Sequence, residues 1–443
     1  MKKLQHKVSV FSCLVLTLLL LSCATHRSTP LPSLPSDSLI LHQLRDYGIR
    51  FTDDNRVALL FSGQEKFDDM FNAIRQARHS IHLEYFNFRN DSIASLLFDL
   101  LRQKRREGVE VRALFDGFGN DSNNQPLLKR HIRALRADSV DIHEFDPIRF
   151  PWVNHIWPRD HRKIVVIDGR VAYTGGMNVA DYYIKGTEQV GAWRDMHCRI
   201  EGSAVDDLHR IFIAAWKKVT GEQLDASRYL LATDSMTIGH LKYDDTPTAG
   251  HKLVGIVNRE PGTRRLADGS LLGRNSAMRH FYINAIDDAR DSLRIINPYF
   301  TLIPSVSRAI KRAIKRGVKV ELMISAKSDI PLTPDCAFYQ MHRMMKHGAE
   351  VWLYQPGFHH SKIMMVDGRF CTVGSTNLDA RSLRFDYEEN AVIIDRPTTL
   401  QLDSMFDADK QQSIRLTPES WKSFRTPWQR FRGWMAHLLS PFL

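Results

Sequence analysis

His161-Arg162-Lys163-Ile164-Val165-Val166-Ile167-Asp168 and His360-Ser361-Lys362-Ile363-Met364-Met365-Val366-Asp367 are two copies of one string, His-x-Lys followed by four apolar residues and Asp. Each is trailed at one distance by a second string, Gly175-Gly176-Met177-Asn178 and Gly374-Ser375-Thr376-Asn377, so both features recur at an offset of 199 residues (360 − 161 and 377 − 178). Residues two apart in an extended chain project to one face, so a strand carrying each motif would aim an imidazole and an ammonium into one space. The apolar run after each Lys reads as a strand buried on both faces. Asp-Gly-Arg closes both copies, a turn signal that sends the chain back in a hairpin and returns the Asn beside the His and Lys.

The repetition reaches outward from these strings. Ala73-Ile74-Arg75-Gln76-Ala77-Arg78-His79-Ser80-Ile81 matches Ala285-Ile286-Asp287-Asp288-Ala289-Arg290-Asp291-Ser292-Leu293 at five of nine positions. Phe67, Met70, Phe71, Ile74 and Ala77 in the first copy, and Met278, Phe281, Tyr282, Ala285 and Ile286 in the second, follow the spacing of an amphipathic helix. Apolar strands over 81–88 and 293–300 follow, each ending close to an aromatic pair. A second helix then leads in each copy to Gly-Val strand starts at Gly108-Val109-Glu110-Val111 and Gly317-Val318-Lys319-Val320. Alternating helix and strand signals in both copies give an α/β fold of two similar halves, each a mixed β-sheet flanked by helices, packed around one shared site. The halves are expected over 46–220 and 251–412, with the polar stretch 221–250 as linker.

The two ends read differently. Lys2, Lys3 and Lys7 precede an apolar run over 8–21, which is too short to cross a bilayer and suits the core of a signal peptide over 1–22. Leu20-Leu21-Ser22-Cys23 has the form of a lipoprotein box with Cys23 as the lipidated residue; an uncleaved anchor, or an ordinary signal with a chance Cys, is the other reading. Residues 23–45, rich in Ser, Thr and Pro, then form a tether, and the body sits outside the cytoplasm at a membrane. At the other end, 413–443 is a basic amphipathic segment that interleaves Trp421, Phe424, Trp428, Phe431, Trp434, Leu438 and Leu439 with Lys422, Arg425, Arg430 and Arg432. Such a helix either lies in a membrane interface or packs on the body. The net charge of +11 favours anionic partners, lipid or nucleic acid. Beyond the signal region only Cys198, Cys336 and Cys371 occur, scattered, so neither a disulfide framework nor a metal site is expected, and no cofactor is called for.

Taken with these strings, Glu84-Tyr85-Phe86, Trp193-Arg194-Asp195, Asn297-Pro298-Tyr299-Phe300, Asn377-Leu378-Asp379-Ala380-Arg381-Ser382 and Leu438-Leu439-Ser440-Pro441-Phe442-Leu443 make the chain resemble the phospholipase D superfamily, and within it the bacterial cardiolipin synthases. The resemblance runs from about Tyr47 onward. It implies a phosphatidyl transfer between phosphatidylglycerol molecules in which one His forms a phosphohistidine and the other serves as acid and base. It points to His161 as nucleophile and His360 as acid/base, whereas the residues alone allow either order. Lys163, Lys362, Asn178 and Asn377 are suited to the phosphate's non-bridging oxygens. The resemblance implies that Asp195 and Glu388 orient the imidazoles; Asp168 and Asp367 complete the candidate catalytic set but sit at turns, where an architectural role fits. Many bacterial cardiolipin synthases begin with two membrane-spanning helices, and the short apolar run here departs from that. Water as acceptor would make the enzyme a phospholipase D producing phosphatidic acid; a nuclease is the less favoured alternative, since the tail and the family motifs favour an anionic phospholipid over nucleic acid. Oligomeric state is not legible.

Overall fold

The computed structural model describes residues 35–149, 157–230, 251–261, 277–330, 333–438 and 440. The expected signal peptide, Cys23 and most of the expected tether lie outside these residues. The first half contributes β1 (Phe51–Leu60), β2 (Ser80–Tyr85), β3 (Glu110–Asp116), β4 (Asp141–Phe145), β5 (Ile164–Ile167), β6 (Val171–Gly175), β7 (Ala192–Arg194) and β8 (His197–Glu201). The second contributes β9 (Lys252–Arg259), β10 (Ser292–Ile296), β11 (Lys319–Ser325), β12 (Glu350–Tyr354), β13 (Gly357–His359), β14 (Ile363–Val366), β15 (Phe370–Gly374), β16 (Glu388–Ile394) and β17 (Ser413–Leu416).

Strands β2, β3 and β4 run parallel, as do β10, β11 and β12, because helices join them in succession: Ser92–Arg106 and Lys129–Ala137 in one half, Pro304–Lys315 and Thr333–Met345 in the other. The apolar runs of the two motifs form β5 and β14, buried at every position and each paired antiparallel to the strand it precedes in its hairpin. Helix Gly63–Gln76 starts where the Ser62 side chain accepts the Glu65 N–H, and it buries Phe67, Met70, Phe71 and Ile74, the stripe read from the sequence.

The two mixed sheets do not stay separate. All strands except β7 and β13 join in the order β17-β12-β11-β10-β14-β15-β16-β9-β1-β8-β6-β5-β2-β3-β4. From the β9–β1 junction outward, both halves repeat one order, and β17 is added at the second half's edge. Antiparallel pairing of β1 with β9, Phe51 opposite Gly255, closes two edges that would otherwise expose unpaired amides. A side chain at Gly255 would meet the Phe51 ring at 2.7 Å, so the junction needs a glycine there. Strands β7 and β13, one from each half, pair in parallel and form a second bridge, Trp193 opposite Phe358.

Three expected boundaries shift. Ser36–Asp46 is a helix rather than tether, with Ile40 and Leu44 fully buried in the core of the second half. An apolar pair one turn apart outweighs the Ser/Pro composition around it. The expected linker starts as an ordered segment in which Leu224 and Tyr229 pack with Phe212 and Trp216; its remainder, 231–250, lies outside the described residues. The expected tail begins as β17, which pairs with β12 and seals the sheet edge before helices Pro418–Phe424 and Pro427–Leu438. Cys198, Cys336 and Cys371 are buried free thiols.

Candidate active site

Asp168 and Gly169 both take positive φ (52° and 64°), as do Asp367 and Gly368 (54° and 59°), the geometry of a tight primed hairpin turn. The Asp168 carboxylate accepts the N–H groups of Arg78, His79 and Ser80 at 2.8, 2.7 and 2.9 Å, and Asp367 accepts those of Arg290, Asp291 and Ser292 at 3.1, 2.8 and 2.9 Å. Both acids therefore fasten the loop entering β2 or β10, at the opposite end of β5 or β14 from the His. This placement suits the architectural role that their turn positions suggested.

His161 and Lys163 stand just ahead of β5, and His360 and Lys362 just ahead of β14, not within strands as the spacing suggested. What holds them is the other half. The His161 N–H donates to the Tyr387 carbonyl (3.0 Å) and the His360 N–H to the Arg194 carbonyl (2.7 Å). The residue after each of those carbonyls is the carboxylate that the imidazole meets. His161 Nδ1 lies 3.0 Å from Glu388 Oε1, and His360 Nδ1 lies 2.6 Å from Asp195 Oδ2. Each imidazole is thus oriented by a carboxylate from the opposite half, with Nδ1–H donating to it and Nε2 turned away from that carboxylate.

Both lysines fold back over their motif. Lys362 Nζ donates to the His360 carbonyl (2.6 Å) and lies 3.1 Å from His360 Nε2; Lys163 Nζ donates to the His161 carbonyl. Asn178 and Asn377, at the ends of the returning hairpin strands, are buried, and each Oδ1 lacks a hydrogen-bond partner. The open Oδ1 can accept a ligand hydroxyl, and the Nδ2 of the same amide is the group able to donate to a phosphate oxygen. Lys66, buried on the apolar face of its helix, donates to the Asn178 carbonyl (3.1 Å) and so fixes that residue. Gly176 has no room for a side chain, since a Cβ would lie 2.2 Å from the Asp195 carboxylate; at the matching position Ser375 instead donates to Glu388.

Aromatic rings wall the pair. Phe86 packs edge-on to His161 (5.1 Å between centroids), and Trp193, Phe358 and Tyr299 surround His360 at 5.4, 5.4 and 5.9 Å. Burial and the cations Lys163 and Lys362 hold His161 well below the ordinary imidazole value. Burial and Lys362 bring His360 down to about 4, against the pull of Asp195. Burial pushes Glu388 up to about 7 and lowers Lys362 to about 8. Burial also acts on Asp195, but Lys362 and His360 outweigh it and keep this carboxyl below its usual range. The result is two neutral, oriented imidazoles facing two ammonium groups in a water-poor site, an arrangement suited to attack on an anionic phosphodiester.

Of the residues that sequence reasoning grouped, the structure pairs His161 with Glu388 and His360 with Asp195 and folds Lys163 and Lys362 back over their histidine motifs, while Asn178 and Asn377 are buried past the ends of the returning strands. Sequence reasoning gave no role to Lys66, Ser375 or Glu389. A lysine in line with Met70 and Ile74 on an apolar helix face, and two adjacent acids opening the apolar run of β16, were the visible signals.

A family model described as "Cardiolipin synthase, PLD-like domain" matches residues 70–214 and 282–410, one segment in each half. The chain belongs to this family of phospholipase D-like cardiolipin synthases. Among family members, a probable cardiolipin synthase of Bacillus subtilis is 33% identical over 379 residues, covering 85% of this chain and 70% of that one. The cardiolipin synthase of Oceanobacillus iheyensis is 33% identical over 407 residues, covering 92% and 79%, and that of Listeria monocytogenes 31% over 406 residues, covering 91% and 79%. In fold, the cardiolipin synthase-like chain matches the crystal structure of phosphatidylserine synthase from Haemophilus influenzae with a TM-score of 0.67 at 16% identity, over 91% of this chain and 100% of that one. Polyphosphate kinase from Porphyromonas gingivalis shares the architecture more distantly (TM-score 0.53, 12% identity, 88% and 52% coverage).

Proposed function

We propose that the chain is a cardiolipin synthase working by two displacements at one site. His161, its Nδ1–H held by Glu388, attacks the phosphorus of phosphatidylglycerol through Nε2. His360, protonated when the anionic substrate arrives, gives its proton to the departing glycerol oxygen, and a phosphatidyl-His161 intermediate remains. His360, now neutral and oriented by Asp195, takes the proton from a hydroxyl of a second phosphatidylglycerol. That oxygen attacks phosphorus, the N–P bond breaks, and cardiolipin forms. Lys163, Lys362, Asn178 and Asn377 face the non-bridging oxygens, where charge accumulates. One phosphodiester replaces another, so no nucleotide is consumed. The observation that carries this reading is the crossed pairing of each imidazole with the other half's carboxylate, which makes the paired motifs one site.

The substrate's location fits the surface. Helix Pro427–Leu438 buries Gly433 and Ala436, with Gly433 against Asp335 and Tyr339 of helix Thr333–Met345, and leaves Trp428, Phe431, Trp434 and Leu438 exposed at 63, 48, 43 and 54%. One face packs on the body, and we assign the other to a membrane interface. The exposed face, with basic residues interleaved, suits the headgroup level of an anionic membrane. Among the described residues no helix is long and apolar enough to cross a membrane. From the lipoprotein-like form of Leu20-Leu21-Ser22-Cys23 and the exposed aromatic face we assign attachment to a lipid on Cys23 together with this face, outside the cytoplasm.

The test is to incubate the purified chain with phosphatidylglycerol and analyse the products. Cardiolipin with an equal amount of glycerol is expected. Phosphatidic acid alone would reassign the chain as a hydrolase, and cleavage of DNA with no action on lipid would overturn the lipid reading. A labelled phosphatidyl group should be retained on the protein and be absent from His161→Ala.

A further inference from the structure

Strand β16 opens with two adjacent acids, Glu388 and Glu389, and both are fully buried. Glu388 serves His161. Glu389 reaches into the first half, where its Oε1 accepts the Thr174 hydroxyl (2.7 Å) and the Lys163 backbone N–H (3.2 Å). Its Oε2 lies 3.0 Å from Ser375 Oγ, and Ser375 Oγ is also in hydrogen-bond contact with Glu388 Oε2. The same oxygen accepts the Glu389 backbone N–H (3.0 Å).

A hydroxyl has one hydrogen and two lone pairs. Ser375 Oγ also lies 3.2 Å from the Glu389 carbonyl oxygen, which can only accept; with its one hydrogen given to Glu388 at the shortest contact and the Glu389 N–H on one lone pair, a hydrogen on Glu389 Oε2 fills the other. The opposite assignment puts the proton on Glu388, the carboxylate that must be anionic to hold His161 Nδ1–H and to balance the cationic phosphoimidazole. The ionisable groups acting on Glu389 are Lys163 and Glu388; Glu84, Tyr85 and Cys198 face it in turn. Arg162 pairs with Glu84 (2.8 Å) and Lys362 acts on Glu388, whereas Glu389 has only a share of Lys163 beside the repelling Glu388, and burial pushes it up to about 8. The first half has no counterpart: β8 pairs Gly175 with His197 as β16 pairs Gly374 with Asn390, and the residue matching Glu389 is Met196. Gly176 stands where Ser375 does. The second acid and its hydroxyl exist only beside the carboxylate that orients His161.

We propose that Glu389 is a positioning residue that stays protonated and, through Ser375, holds Glu388 as the anion that aligns His161. This rests on His161 being the nucleophile of the proposed transfer. The test combines infrared difference spectroscopy with kinetics on the wild-type chain, Glu389→Gln and Glu389→Ala, using phosphatidylglycerol in detergent micelles. Glu389→Gln, a neutral donor of the same shape, is expected to keep kcat within about threefold and to lose one protonated-carboxyl band that the wild type shows at pH 7. Glu389→Ala is expected to lower kcat at least about tenfold with KM little changed. The proposal is overturned if the wild type has no carboxyl band that Glu389→Gln removes, or if the Gln variant falls as far as the Ala variant. Lack of any lipid product from the wild type would instead count against the transferase reading, so the two failures are distinct.

Discussion

Replacing Asp168 separates architecture from chemistry in a motif whose three named residues look equally catalytic on paper. The carboxylate accepts three backbone N–H groups at 2.7–2.9 Å in the loop that enters β2. A hydrogen bond to a charged group contributes about 1.5–3 kcal/mol, and the part-exposed setting here places each at or below the lower end. Asp168→Asn keeps one acceptor and tolerates the φ of 52°, so it should cost about 1–2 kcal/mol. Asp168→Ala loses all three bonds and adds about 1 kcal/mol for a left-handed backbone, about 2–4 kcal/mol together. For a chain of this length the unfolding entropy scales to about 1 °C of Tm per kcal/mol, so drops of about 1–2 °C and 2–4 °C are expected by calorimetry. Turnover measured well below Tm should stay within about threefold of wild type for both. An Asn variant with an unchanged Tm and turnover lowered about a hundredfold would refute the reasoning and return Asp168 to the chemistry.

His161→Ala and His360→Ala should each lower turnover at least about a thousandfold with unchanged far-ultraviolet circular dichroism, since each removes a bond-making or proton-transfer partner. Asn178→Ala and Asn377→Ala should lower kcat by about tenfold to a thousandfold through loss of a donor to the phosphate, read in steady-state assays. Burial lowers Lys362 to about 8, so its charge is lost as pH rises through that value; kcat/KM should fall above pH 8, and Lys362→Arg, slower throughout, should lack that decline. Trp428, Phe431 and Trp434 changed together to Ala should weaken sedimentation with phosphatidylglycerol vesicles at least about tenfold while leaving turnover of a water-soluble short-chain substrate near normal.

The repeat carried most of what could be read in advance. Equal offsets between His161 and His360 and between Asn178 and Asn377 revealed the hairpins, because turn chemistry and apolar alternation are local. The crossed pairing of His161 with Glu388 and His360 with Asp195 was not readable from a string, since it depends on how two halves meet across 227 and 165 residues of chain. The single sheet escaped for the same reason: β1 and β9 carry no mark that their partner is each other. Composition misled at Ser36–Asp46, where Ser and Pro suggested a tether but Ile40 and Leu44 had a core to enter. Lys66 was passed over because a lone charge on an apolar face reads as solvated until burial is seen, and Glu389 because its neighbour Glu388 already filled the orienting role.

The β1–β9 junction also bears on symmetry. Two copies of a half placed edge to edge about such a junction would give two identical imidazole–carboxylate pairs, with nothing to decide which receives the phosphorus. Here matched positions around the orienting carboxylates differ, Gly176 and Ser375, Asp195 and Glu388, Met196 and Glu389, as does the residue between each His and Lys, Arg162 and Ser361, while the histidines and lysines are kept. The molecule thus keeps a twofold frame for reach across the seam and departs from it in the carboxylate surroundings, an asymmetry that fits the proposed division of labour between the two imidazoles.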